Sequence, residues 1–173
     1  MSEGKLKHVT SVRQITRPLL EDLMLSADEM RALVRSQGGD SRLQHKVLAA
    51  AFLEPSTRTS CSFQSAMLRL GGTVFVVNSE HSSVKKGESL EDTIRTLSCF
   101  ADVIILRHSS KGSASAASAV SRKPIINAGD GVGEHPTQAL LDVYTIKTEL
   151  GCIGSTSASA TMTVALLGDL KHG

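Results

Sequence analysis

The stretch Val47-Leu48-Ala49-Ala50-Ala51-Phe52, followed by Glu54-Pro55-Ser56-Thr57-Arg58-Thr59, predicts a buried strand that leads into a helix. Apolar side chains at helical spacing indicate that helix: Phe63, Ala66, Met67 and Leu70. The first N–H groups of a helix lack intrahelical acceptors, and the peptide dipoles add about half a positive charge there. We therefore expect an anion site at this turn, where hydroxyl groups and the Arg58 guanidinium would bind phosphate.

Strands and helices alternate along the rest of the chain. Strands are predicted at Val47–Phe52, Thr73–Val77, Val103–Leu106 and Pro124–Asn127, with helices at Thr57–Leu70, Glu88–Cys99, Ala114–Val120 and His135–Leu150. Strands that are apolar along their length and separated by helices predict an α/β fold, with a parallel sheet flanked by helices on both faces.

Two further helices are predicted near the N-terminus. Arg17-Pro18 introduces the first, and Ser26-Ala27-Asp28-Glu29 resembles a capping box that would start the second. The last predicted helix has Ala139, Val143, Ile146 and Leu150 at helical steps, which predicts one buried face.

The domain organisation is predicted from composition. Residues 1–150 form one α/β domain, and residues 151–160, rich in small residues, read as a connector. Residues 161–173, with a predicted strand at Thr161–Leu167, would be the first strand of a truncated second α/β domain.

Composition excludes several classes of function. Of the 173 residues, 40% are hydrophobic and only 3% aromatic, and the net charge is +2, which argues against a nucleic-acid partner. No apolar stretch reaches the length of a membrane span, and three separated cysteines favour a reducing, cytoplasmic compartment. Cys61 and Cys99 are interpreted as small core residues, and no His or Cys cluster has metal-ligand spacing.

Polar side chains follow each predicted strand. The carboxyl ends of parallel strands meet at one edge of a sheet, where ligands bind. The segments at these ends are Ser56–Thr59, Ser82–Glu88, Arg107-His108, and Asn127–Gly131 with His135–Gln138. Together they predict a locally positive cleft for a small dianion.

Each of these segments also has a plainer interpretation. Ser56 could only cap a helix, and Arg58 could be a surface charge. His135-Pro136 could be a helix start without further role, because Pro favours the first turn. Lys85-Lys86 could be a solvated pair, and Gln138 could cap the helix or face solvent.

Four stretches resemble the transcarbamylases: Phe52–Thr59, Lys85–Ser89, Leu106–His108 and Asn127–Asp142. The resemblance is closest to aspartate carbamoyltransferase in the form found within eukaryotic multifunctional pyrimidine-synthesis proteins. Ser60, where bacterial members usually have Arg, is similar to the eukaryotic form. The resemblance covers nearly the whole chain in order.

This resemblance implies transfer of a carbamoyl group from carbamoyl phosphate to L-aspartate, giving N-carbamoyl-L-aspartate and phosphate, with no metal and no organic cofactor. Arg107 would bridge phosphate and carbonyl, and His135 with Thr59 would polarise the carbonyl oxygen. Gln138 would hold the carbamoyl nitrogen. The phosphate would be held by Ser56, Thr57, Arg58 and Thr59.

The resemblance also implies a homotrimer with shared active sites. Ser82, preferred over Ser83, and Lys86 would reach the site on a mobile loop of a neighbouring subunit. Aspartate would bind only with the second domain, so the chain alone is expected to lack turnover. Two alternatives stay open: an ornithine carbamoyltransferase, and an isolated carbamoyl-phosphate-binding or trimer-forming domain without turnover. The chain could also be part of a multifunctional polypeptide.

Overall fold

A computed structural model describes residues 6–79, 87–151 and 163–165. Within these residues a 3₁₀ helix, η1 (Val12–Gln14), precedes five α-helices and four β-strands. The helices are α1 (Arg17–Gln37), α2 (Thr57–Arg69), α3 (Leu90–Phe100), α4 (Ser113–Val120) and α5 (Pro136–Leu150); the strands are β1 (Val47–Phe52), β2 (Thr73–Asn78), β3 (Val103–His108) and β4 (Ile125–Asp130).

The four strands form one parallel sheet in the order β2-β1-β3-β4. Ala50 in the middle of β1 lies beside Val76 of β2 and Ile105 of β3. Each connection between successive strands contains a helix, as parallel pairing requires. The predicted α/β class with a parallel sheet is confirmed.

Apolar side chains pack on both faces of the sheet. On one face Ile94 and Leu97 of α3 and Ala117 of α4 pack with Ala49, Ala51, Ile104, Leu106 and Ile125. On the other face Met67 of α2 packs with Leu48, Ala50, Phe52, Ile105 and Ala128. The small Ala residues of β1 let helices approach closely on both sides, and this fixes the sheet relative to the helices that carry polar groups.

The N-terminal segment adds an edge contact that the sequence did not predict. The Val9 N–H donates to the Ile125 carbonyl at 2.8 Å, and the Asn127 N–H donates to the Val9 carbonyl at 2.8 Å. Val9 thus forms an isolated parallel bridge beside β4. A single bridge has no sequence period, so the pattern of residues could not reveal it.

Several sequence interpretations are wrong in detail. The capping box at Ser26 is absent, because α1 runs unbroken from Arg17 to the left-handed Gly38 and Asp28 instead binds the Tyr144 hydroxyl and Lys147 of α5. Cys61 and Cys99 are exposed, not core residues.

The predicted buried face of α5 is also less buried than expected. Ala139, Val143 and Ile146 are half-buried, and Leu150 is 58% exposed. The connector 151–160 and the strand Thr161–Leu167 lie outside the described residues, apart from Gly151 and residues 163–165. No helix in the described ranges is sufficiently long and apolar to cross a membrane.

Candidate functional site

An open cleft of about 730 Å³ lies where β3, the start of α2 and the start of α5 meet. Six of the predicted site residues line it: Ser56, Arg58, Thr59, Arg107, His135 and Gln138. Residues that the sequence analysis did not assign to the site also line it, namely Ser62, Phe63, Ala66, Thr137, Leu140 and Leu141. The parallel sheet brings these segments together because its strands end at the same edge.

The start of α2 is an uncapped helix terminus. Ser56 occupies the N-cap position in extended conformation, yet within the described structure its side chain accepts no capping hydrogen bond. The N–H groups of the first turn are therefore left for another acceptor. The first turn carries no acidic residue and contains Arg58, so it attracts an anion. Thr57 is exposed and does not belong to the cleft lining.

Arg107, at the end of β3, is held by groups that the sequence did not identify. Its Nη2 donates to Glu54 Oε1 at 2.9 Å, and its Nη1 donates to the Ala128 carbonyl at 3.1 Å. Its buried Nε has no hydrogen-bond partner among the described residues. A buried guanidinium nitrogen without an acceptor is costly, so this N–H is available for a ligand oxygen.

Gly129 makes the room that Arg107 occupies. Its φ of +116° is unfavourable for residues with a side chain. A Cβ atom there would lie 2.8 Å from Arg107 Nη1 and 3.6 Å from His135 Cδ2. The same glycine thus borders both side chains, which places Arg107 and His135 next to each other. The sequence analysis placed Asn127–Gly131 at the end of the fourth predicted strand, but only the structure shows that Gly129, within β4, leaves room for Arg107.

His135 is the N-cap of α5, and its ring accepts a hydrogen bond from that helix. Nδ1 lies 3.2 Å from the Gln138 N–H and 3.2 Å from Thr137 Oγ1. A backbone N–H can only donate, so Nδ1 is the acceptor and Nε2 carries the proton of the neutral ring. Nε2 is buried and unpartnered within the described structure. The ring therefore offers one N–H donor to a ligand.

Burial lowers the pKa of His135, and the nearby positive charge of Arg107 lowers it further. Both effects disfavour the charged imidazolium. A hydrogen bond between the ring and the backbone of His135 itself and the charge of the Asp142 carboxylate oppose this shift of the pKa. The shift favours the uncharged ring, which acts as a donor through Nε2.

Gln138 extends from the first turn of α5, and its amide is oriented by Asp142 one turn later. Gln138 Nε2 donates to Asp142 Oδ1 at 2.9 Å. Because an ionised carboxylate only accepts, the NH₂ group must face Asp142 and the amide oxygen is left for a donor. Asp142 was part of a quoted motif, but its spacing from Gln138 was not interpreted.

Buried polar groups support the loop that joins β4 to α5. Asp130 accepts from the Gly112 N–H at 2.8 Å through Oδ2 and from the Glu134 N–H at 2.7 Å through Oδ1. Asn127 is fully buried and donates to the carbonyls of Thr10 and Glu134. The contacts of Asp130 with Gly112 and of Asn127 with Thr10 join residues distant in sequence, so no local pattern predicted them.

Residues 7–148 match the family described as aspartate/ornithine carbamoyltransferase, carbamoyl-P binding domain. The chain belongs to this family. The resemblance to the transcarbamylases, inferred from four motifs, is thereby confirmed. The match includes every strand of the sheet and the segments that form the cleft.

Individual relatives of this transcarbamylase chain are similar over most of its length. It is 54% identical over 167 residues to multifunctional protein pyr1-3 of Dictyostelium discoideum, with 96% of this chain and 7% of that protein covered. It is 49% identical over 174 residues to the aspartate carbamoyltransferase catalytic subunit of Methanopyrus kandleri, covering 100% of this chain and 54% of that subunit. The chain spans about half the length of the catalytic subunit.

A solved structure has the same fold. Aspartate transcarbamoylase from Trypanosoma cruzi, in complex with carbamoyl phosphate and aspartate, superposes with a TM-score of 0.81 at 44% identity. The superposition covers 84% of this chain and 48% of that chain.

Two predicted site residues of the transcarbamylase chain, Ser82 and Lys86, lie outside the described residues. The roles of all the predicted residues stay predictions, although six of them line one cleft. Groups of three or more His, Cys, Asp or Glu that could hold a metal ion are absent from the described part of the chain.

Proposed function

We propose that this chain is the carbamoyl-phosphate-binding part of an aspartate carbamoyltransferase, which makes N-carbamoyl-L-aspartate and phosphate in pyrimidine biosynthesis. One observation carries the proposal. Arg107 and His135 come from different elements, lie side by side next to the uncapped start of α2, and each keeps a buried N–H without a partner among the described residues. That arrangement suits a ligand with a phosphate and an adjacent carbonyl.

The phosphate would occupy the start of α2. The N–H groups at the helix start, that of Thr57 among them, the hydroxyls of Ser56 and Thr59, and the guanidinium groups of Arg58 and Arg107 supply its donors. Arg107 also pairs with Glu54, which leaves its Nε for the ligand. The carbamoyl NH₂ would donate to the Gln138 oxygen, since Asp142 already takes the Gln138 NH₂ group.

The reaction needs donors where negative charge develops. The aspartate amine attacks the carbamoyl carbon and forms an N–C bond, the C–O bond to phosphate breaks, and the proton lost by the amine passes to the departing phosphate. His135 Nε2–H, the Thr59 hydroxyl and Arg107 would stabilise the carbonyl oxygen as it gains charge. Losing one donor of this kind costs about 3 to 4 kcal/mol in transition-state stabilisation.

Aspartate as the acceptor is supported by the names of the relatives in Methanopyrus and Trypanosoma, while the family also includes ornithine enzymes. We further propose a homotrimer in the cytoplasm, within a multifunctional polypeptide, with Ser82 and Lys86 supplied by a neighbouring subunit. Because the chain spans about half of the Methanopyrus subunit, the 173 residues alone should bind carbamoyl phosphate without turnover.

Calorimetry on the 173-residue chain tests the proposal. Carbamoyl phosphate and inorganic phosphate should bind, and Arg58→Ala should weaken both about tenfold or more, because it removes a charge-assisted hydrogen bond. Arg95→Ala is the matched control, since Arg95 is exposed and paired with Asp92 on α3. L-Aspartate and L-ornithine should show no tight binding.

Other outcomes would favour the alternatives. Unchanged phosphate affinity in Arg58→Ala, with trimers still present in sedimentation, would indicate an assembly module without a ligand site. Tight aspartate binding by the chain alone would contradict the assignment of aspartate to a further domain, and tight ornithine binding would favour the ornithine enzyme.

A further inference from the structure

The N-terminal segment, defined here as residues 8–14, is fastened to the loop that carries His135. Glu134 makes the connection: its Oε1 accepts from the Ser11 hydroxyl at 2.9 Å, and its Oε2 accepts from the Val12 N–H at 2.8 Å. Ser11 and Val12 lie more than 120 positions from Glu134 in the sequence. The contact is therefore tertiary, and each oxygen of the Glu134 carboxylate accepts one of its hydrogen bonds.

The backbone of Glu134 is held equally firmly. Its N–H donates to Asp130 Oδ1 at 2.7 Å. Its carbonyl accepts from the Asp130 N–H at 3.3 Å and from Asn127 Nδ2 at 3.2 Å. Asn127 is fully buried, and the same Nδ2 donates to the Thr10 carbonyl at 3.0 Å. All the polar groups of Glu134 are thus engaged, which leaves the residue little freedom to move.

Glu134 directly precedes His135, the N-cap of α5. The direction of the His135 ring follows from the backbone at this position, because the ring bonds back to the Gln138 N–H. His135 Nε2 has no described partner of its own to keep it in place. Its position is therefore set by the Nδ1 contacts with Thr137 and Gln138 and by the backbone that Glu134 holds.

We propose that Glu134 is a positioning residue that fastens the N-terminal segment to the loop before α5 and so holds His135 Nε2 where the carbonyl oxygen of the acyl phosphate binds. This inference rests on the proposed function. It makes residues 8–14 a support of the site, although none of them lines the cleft.

A purely structural role for Glu134 and a role in positioning His135 predict different changes in ligand affinity. General loosening would weaken every ligand of the cleft alike. Misplacing His135 would instead weaken ligands with a carbonyl oxygen, because inorganic phosphate binds to the α2 terminus and the arginines. The ratio of the two affinities is thus the readout, and thermal unfolding reports stability separately.

The experiment is calorimetry with carbamoyl phosphate and with inorganic phosphate on the 173-residue chain. Glu134→Ala should weaken carbamoyl phosphate about fivefold to tenfold and inorganic phosphate less than about twofold, as expected for losing one hydrogen bond. Glu134→Gln keeps one acceptor oxygen for Ser11 or Val12 and should restore part of the loss. Glu21→Ala is the matched control, because Glu21 lies in an exposed pair with Arg17 on α1.

Ser11→Ala tests the same contact from the other side and removes only one hydroxyl, so it serves if Glu134→Ala does not fold. It should give a smaller but still selective loss for carbamoyl phosphate. Equal losses for both ligands, or no loss in either variant, would overturn the inference. A wild-type chain that does not prefer carbamoyl phosphate over phosphate would overturn the proposed function as well, and so separates the two failures.

Discussion

At the scale of single residues, Arg107 and His135 are oriented by the protein, yet each has a nitrogen without a hydrogen-bond partner among the described residues. Arg107 bonds to Glu54 and to the Ala128 carbonyl, and His135 bonds through Nδ1 to its own helix. Each retains one buried N–H that the described residues do not use. Leaving such donors unpaired costs stability, and a ligand oxygen would recover that cost on binding.

Gly129→Ala should damage the site through Arg107. The new Cβ would lie 2.8 Å from Nη1, and the φ of +116° adds backbone strain of about 1 to 3 kcal/mol. We expect about a tenfold loss of phosphate affinity by calorimetry together with lower stability in denaturant unfolding.

Gly38→Ala is the control for strain alone. Gly38 also has a positive φ, +78°, but a Cβ there would meet no described atom within 4 Å. It should lower stability and leave phosphate affinity unchanged. Equal phosphate affinity in the Gly129→Ala variant would contradict the role of this glycine.

At the scale of elements, the starts of α2 and α3 differ in a way that separates binding from stability. Ser89 caps α3 by accepting from the Asp92 N–H at 3.1 Å, and acidic residues occupy its first turn. Ser56 stands at the same position of α2 without a capping bond in the described structure, and no acidic residue follows it. The start of α2 is therefore open to an external anion, whereas the start of α3 is capped by the side chain of Ser89.

Ser89→Ala should therefore affect stability, and Ser56→Ala should affect phosphate affinity. Ser89→Ala should lower the free energy of unfolding by about 1 kcal/mol and leave phosphate affinity unchanged, because an N-cap bond is lost. Ser56→Ala should leave stability within about 0.5 kcal/mol and weaken phosphate several-fold. Denaturant unfolding and calorimetry measure the two quantities, and a large stability loss in Ser56→Ala would show that Ser56 serves as an ordinary cap.

At the scale of the whole molecule, the cleft depends on long-range assembly. The α2 start, the end of β3, and the loop between β4 and α5 meet because the strands are parallel, and the N-terminal segment braces that loop from outside the sheet. The proposed trimer would add Ser82 and Lys86 from a second copy, so the site would be complete only in the assembly.

Association should consequently change affinity. If Lys86 reaches a neighbour's cleft, carbamoyl phosphate should bind more tightly at protein concentrations where sedimentation detects trimers. Lys86→Ala should remove that concentration dependence without preventing association. A trimer whose affinity equals that of the monomer would contradict a shared site.

The sequence by itself determined the elements and their order. Periodicity predicted β1 with its observed bounds and the other described strands and α2 to α5 to within a few residues, because apolar runs and helical spacing are local signals. It wrongly divided α1 into two helices. The polar segments after the strands could be assigned to one edge, because a parallel sheet puts all carboxyl ends there. The motifs also identified the family before any geometry was known.

Only the tertiary structure decided which groups face one another. Glu54 against Arg107, Gly129 beneath Arg107 and His135, and Glu134 against Ser11 are contacts between distant positions, set by how the elements pack. The same packing exposed Cys61 and Cys99 and kept α1 continuous past Ser26. A sequence specifies local conformation through backbone preference and hydrophobic periodicity. The pairing of buried polar groups is fixed only when the helices and strands pack together.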